Sequence, residues 1–224
     1  MKTFIRFAAA LIGVAAIIHA AERFDMTVRA DFFAGFAGNH EALERAMKQC
    51  EAALRENPKH AEAMVWHGSG DMFLSGLAFR KGDYANGGEL WAKGLEEMDE
   101  AVRLEPENVA VLIPRGATLL TASAKAPPEQ GKPLLEKGVS DYARVREIQR
   151  PYFEKLSSHA KGELLFGLAD GYSRMDKKVE ATATFEELAG VGKGSGHEDQ
   201  ARQWLAGGTY EKTALSCTGC HTSK

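Results

Sequence analysis

From about residue 27 to residue 190 the chain repeats its apolar residues with a helical period and shows almost no strand-type alternation. Turn signals interrupt this pattern at Asn57-Pro58, at Glu105-Pro106-Glu107-Asn108 and at Arg150-Pro151, and those prolines stand 48 and 45 residues apart. Proline has no amide hydrogen and its ring collides with the preceding helical turn, so each of these points reads as a helix end. Amphipathic helices punctuated at a steady interval bury their apolar faces by stacking on their neighbours. The expected fold class is therefore all-α: helical hairpins stacked as a superhelix.

Finer spacing within the pattern resembles tetratricopeptide repeats, whose 34-residue unit is an antiparallel helix pair. Counting back from Pro58, Ala46 and Ala53 fall on the family's small positions in a second helix, and Cys50 takes the position between them. The stretch from Ala61 to Asp71 opens the next first helix, with Met64, His67, Gly68 and Asp71 on the family pattern. Leu165, Leu168, Ala169 and Tyr172 fit a later first helix, and Ala181, Phe185 and Leu188 its second.

Departures from the standard period fall in the middle of the chain. The turn Gly82-Asp83-Tyr84 comes about seven residues late, and Pro106 about seven later again. Seven residues are close to two helical turns, roughly 10 Å, so both arms of this hairpin are expected to be longer by the same amount. A third hairpin, with Pro127-Pro128 and Gly131 as its turn, is also expected to be long, and the fourth ordinary. Lengthened middle hairpins should protrude and deepen the groove. The same region is rich in glycine at 68, 70, 76, 82, 87, 88 and 94. Each helical glycine costs about 1 kcal/mol relative to alanine. Three readings follow: close packing of long helices, approach of a flat ligand to the backbone, or a helix broken at Gly87-Gly88.

The two ends of the chain read differently from its body. Lys2 and Arg6 precede a 12-residue uncharged apolar run from Phe7 to Ile18, followed by Ala20 and Ala21. This is the layout of a cleaved export signal over residues 1–20, too short for a membrane span. Its removal takes the formal net charge from −3 to −5 by loss of Lys2 and Arg6. The expected organisation is a repeat body over 21–190 and a C-terminal helix and tail over 191–224, in a periplasmic or otherwise exported protein. No basic excess points to nucleic acid.

Of three cysteines, Cys50 occupies an apolar helical position and reads as a buried, inert thiol. The others close the chain in Cys217-Thr218-Gly219-Cys220-His221, the spacing of a c-type haem attachment sequence. Two thiols so spaced can add to the two haem vinyl groups, while the next histidine offers a nitrogen to iron. Thr218 and Gly219 are small enough not to obstruct the porphyrin edge. Zinc at these residues would need a fourth ligand and a second paired element. A thioredoxin-like pair would need a strand–helix context. A plain disulfide or free thiols are the remaining alternatives.

The tail thus resembles that of a c-type cytochrome, and its C-terminal placement is similar to the cytochrome c-prime group, where iron often lacks a second protein ligand. The resemblance implies one covalent haem c, with Cys217 and Cys220 attached and His221 as the proximal iron ligand. A second iron ligand must come from upstream. His197 opens a short helix from His197 to Ala206; a fold-back about Gly207 would set it beside Cys217, and otherwise it is an exposed residue at a helix start. His67 sits at a normally apolar position beside Trp66; its alternative is a buried histidine bonded to Asp71 or to backbone. Met175 beside a turn and His159 at a helix start complete the set, and open or water-bound iron is the remaining state.

Other chemistry finds little support. The glycine-rich stretch 190–196 lacks a phosphate loop's Lys-Ser/Thr ending, and His40-Glu41 lacks a second histidine for a zinc protease. Charge runs such as Glu96-Glu97 and Lys177-Lys178 read as solvated helix faces. The expected function is single-electron transfer to or from a redox partner protein docked on the repeat groove, rather than an enzyme. Two other classes stand beside it: an open-iron sensor or catalyst for a small gas or peroxide, and a protein-binding adaptor with the haem secondary.

Overall fold

The structure, a computed structural model, describes residues 23–194 and 196–210. The export signal and the motif residues Cys217, Cys220 and His221 lie outside the described residues. The described residues form α1 (Phe24–Phe36), α2 (His40–Glu56), α3 (Ala61–Arg80), α4 (Tyr84–Leu104), α5 (Val109–Ser123), α6 (Pro128–Gln149), α7 (Ser158–Arg174), α8 (Lys178–Val191) and α9 (Gly196–Gly207), with a short 3-10 segment, Arg150–Lys155, after α6. No strand occurs among them. The all-α expectation holds.

Helix starts follow from local chemistry. Asn39, His60, Asp83, Asn108 and Ser157 each stand just before a helix, and each side chain accepts a hydrogen bond from an amide of the first turn. Those amides have no intrahelical partner, so a polar acceptor there fixes where the helix begins. The predicted interruptions at Asn57-Pro58, 105–108 and Arg150-Pro151 all fall between helices.

Each helix packs most extensively on its hairpin partner: α1 with α2, α3 with α4, α5 with α6, α7 with α8. The first helices of successive hairpins also touch in order, α1 to α3, α3 to α5 and α5 to α7, and α9 continues this row against α7 and α8. The arms of the second hairpin, 20 and 21 residues, are lengthened alike. In the third, only one arm is long: 15 residues in α5 against 22 in α6. There Pro128 begins α6, which places Gly131 inside the helix rather than in the turn. A side chain at 131 would collide with the carbonyl of Ser123, at 2.6 Å, so glycine lets α6 start hard against the end of α5.

Close packing accounts for Gly68, Gly70, Gly87 and Gly94, whereas Gly82 serves a turn with φ +78° and Gly76 and Gly88 are not crowded. A Cβ at Gly68 would come within 2.7 Å of the Gly94 carbonyl oxygen, and one at Gly94 equally near the carbonyl of Gly68. The backbones of α3 and α4 therefore meet at these two residues with no room for a flat ligand between them. Gly87 faces the ring of Phe79, and α4 runs unbroken through Gly87-Gly88.

Buried apolar side chains of the described residues fall into three successive clusters along the array. The first joins α1 to α5 and takes in Leu134 of α6, with Phe32 stacked on Trp66 at 5.1 Å and Cys50 fully buried. Burial pushes the Cys50 thiol well above its ordinary range, with Glu97 and Glu51 adding to the effect, so it stays protonated. A second cluster is centred on Tyr142 and Leu164 between α5, α6 and α7, and a third on Phe185 between α7, α8 and α9.

Candidate functional site

One helical turn separates His67 from Asp71 on α3, so both face α4, and Lys93 and Glu97 on α4 are related in the same way. The Gly68–Gly94 contact brings these four side chains together. His67 Nδ1 lies 2.7 Å from Glu97 Oε2 and 3.7 Å from Asp71 Oδ2. Lys93 Nζ lies 2.9 Å from that Asp71 oxygen and 3.7 Å from Glu97 Oε1. Asp71 and His67 are almost fully buried, while the Lys93 side chain is half exposed. Burial alone would lower the Lys93 pKa, but the Asp71 and Glu97 carboxylates outweigh it and raise it. The ammonium is held charged.

Sequence reading placed Glu97 on a solvated face with Glu96. Glu96 is exposed, but Glu97 turns inward, its side chain 22% exposed, and takes the hydrogen bond that His67 was expected to give Asp71 or the backbone. Lys93 was not anticipated at all. The available signal was the pair of glycines: polar residues flanking a point where two backbones touch are forced into contact.

The remaining upstream candidates lie on the last helices. His197 begins α9 but is buried rather than exposed: its ring stacks on Phe166 at 4.9 Å and its Nδ1 is 3.2 Å from Gln200 Oε1. Burial lowers its pKa below 6.5; Gln200 and Glu163 oppose the shift and His159 adds to it. His159 is exposed in the first turn of α7, and Met175 caps the opposite end of that helix, packed against the second cluster. The structure therefore does not gather His67, His159, Met175 and His197 at one point.

Past α9 the chain reverses at Gly208, whose φ of +72° suits a residue without a Cβ. Trp204 of α9 and Tyr210 just beyond it both reach α7. Trp204 stacks on Phe185 at 4.5 Å and donates its Nε1–H to Ser173 Oγ. Tyr210 donates its hydroxyl hydrogen to Asp170 and sets its ring against Phe166, the residue that also carries His197. The fold-back that would set Cys217 beside His197 lies outside the described residues.

Fold and site together define a helical-hairpin array with a buried ionic cluster in its second hairpin and an aromatic anchor for its C-terminal segment. In comparisons with known proteins, no family model, no curated protein and no solved structure matches the chain. No described helix is long and apolar enough to cross a membrane.

Proposed function

We propose that this chain is an exported single-haem c-type cytochrome whose tetratricopeptide-like body docks a redox partner protein. The observation that carries the reading is Cys217-Thr218-Gly219-Cys220-His221. Its donor set fits haem c: two thiols for thioether attachment and an adjacent imidazole for iron. The Lys2–Ile18 leader supports it independently, because such attachment occurs outside the cytoplasm. Bound there, the haem supplies one-electron chemistry, and the protein supplies position and surroundings.

The body's contribution is a tether and a surface. Cys217 follows the anchored Tyr210 by seven residues, which span at most about 25 Å when extended. The attached group is thus kept within reach of α7, α8 and α9. Successive hairpins present an extended face of the kind that stacked repeats use to bind other proteins.

A second reading, an open-iron sensor or catalyst for a small gas or peroxide, draws on the state of the upstream histidines. His67 is engaged by Glu97, and His197 is buried under Phe166 and bonded to Gln200. Both rings are buried and engaged through Nδ1. Oxidised and reduced absorption spectra of the exported protein test both readings. A covalent haem that survives acid–acetone extraction is expected, and it should vanish in Cys217→Ala/Cys220→Ala. Low-spin iron unresponsive to carbon monoxide supports electron transfer, and prompt carbon monoxide binding supports the sensor or catalyst. A colourless product with titratable thiols overturns both. His67→Ala is expected to leave the spectrum unchanged.

A further inference from the structure

The contact between Gly68 and Gly94 places three metal-type donors in one buried spot, and nothing in the haem reading uses them as a set. His67 Nδ1 and one oxygen each from Asp71 and Glu97 all lie within 4.8 Å of one another. The imidazole nitrogen is 2.7 Å from the Glu97 oxygen and 3.7 Å from the Asp71 oxygen. Around a tetrahedral zinc ion with bonds of about 2.0–2.1 Å, neighbouring donors stand about 3.4 Å apart. The two observed spacings bracket that distance.

A second observation points the same way. Asp71 is 2% exposed, yet its Oδ2 accepts no aligned hydrogen bond. Buried carboxylate oxygens nearly always have such a partner, and one without it calls for a cation. Lys93 supplies a single positive charge 2.9 Å away, from a side chain that is half exposed. Two carboxylates and an imidazole nitrogen match a dication better than one ammonium.

We propose that His67, Asp71 and Glu97 form a binding site for a divalent transition metal of the zinc class, and that Lys93 is a placeholder that swings to solvent when the metal enters. Three protein ligands leave a fourth position for water. Entry is from the side, where Lys93 and Glu97 border an open groove lined also by Glu96, Asp99, Glu100 and Arg103.

The test uses zinc chloride and the full chain, with Cys217→Ala/Cys220→Ala as the background so that terminal thiols cannot compete. Titration calorimetry and metal analysis after dialysis should find one zinc per chain. Glu97→Gln, a change of similar shape at a partly exposed residue, should weaken binding at least about tenfold. His67→Ala should do the same, and Lys93→Met should tighten it. Absence of zinc from the Cys217→Ala/Cys220→Ala protein, or equal binding by Glu97→Gln, overturns the site. Binding no tighter in Lys93→Met overturns the placeholder. None of these results depends on whether the terminal cysteines carry haem.

Discussion

His197 is a titratable group whose charge the fold disfavours, chiefly through burial against Phe166 and at the start of α9. Above about pH 6.5 its imidazole is neutral in both folded and unfolded chains, and it imposes no penalty. As pH falls below that value the unfolded chain takes up a proton that the folded one resists, so stability declines until the lowered folded pKa is passed. The urea midpoint should therefore drop between pH 7.5 and 5.5, and His197→Gln should flatten that dependence. Equal pH dependence in the two proteins would contradict this role. Sequence reading located His197 at a helix start but not its burial, because what covers it, Phe166, lies 31 residues away on another helix. Cys50 was legible for the opposite reason: its own helix's spacing from Ala46 and Ala53 marks the buried stripe.

At the scale of elements, proline and glycine carried most of the readable information and also misled. Prolines at 58, 106 and 151 separate helices, whereas Pro114 and Pro133 sit inside α5 and α6. Each lies past the first turn and removes an intrahelical hydrogen bond, yet the helix continues, so proline alone does not decide a break. The glycines divide in the same way, and substitution separates them. Gly94→Ala forces a methyl against the Gly68 carbonyl and should destabilise the protein by about 1–3 kcal/mol, the usual cost of overpacking. Gly88→Ala meets nothing within 4 Å and should stabilise α4 by about 1 kcal/mol. Thermal or urea denaturation of the two variants reads the contrast, and shifts of the same sign would refute the packing account. The ionic cluster beside this contact was half visible. His67 and Asp71 share one helix face by spacing, but their partners come from α4, and only the register set by Gly68 and Gly94 brings Glu97 to His67.

The described residues are held by three clusters in series rather than by one central core. Stability in such an array is close to a sum of local units and the interfaces between neighbours. Phe185 is fully buried in the third cluster and stacks on Trp204, so Phe185→Ala should cost about 3–5 kcal/mol. Its effect should stay local: amide hydrogen exchange should quicken through α7, α8 and α9 and change little in α1 to α4. A uniform increase along the chain would instead reveal a single cooperative unit.

The C-terminal segment is fastened through Trp204 and Tyr210 to that third cluster, at one end of the array. Mild acid or limited proteolysis would therefore detach this end first and leave the first two clusters standing. A preparation could lose this end while keeping most of its helical signal, so circular dichroism alone would pass as intact a molecule already shortened.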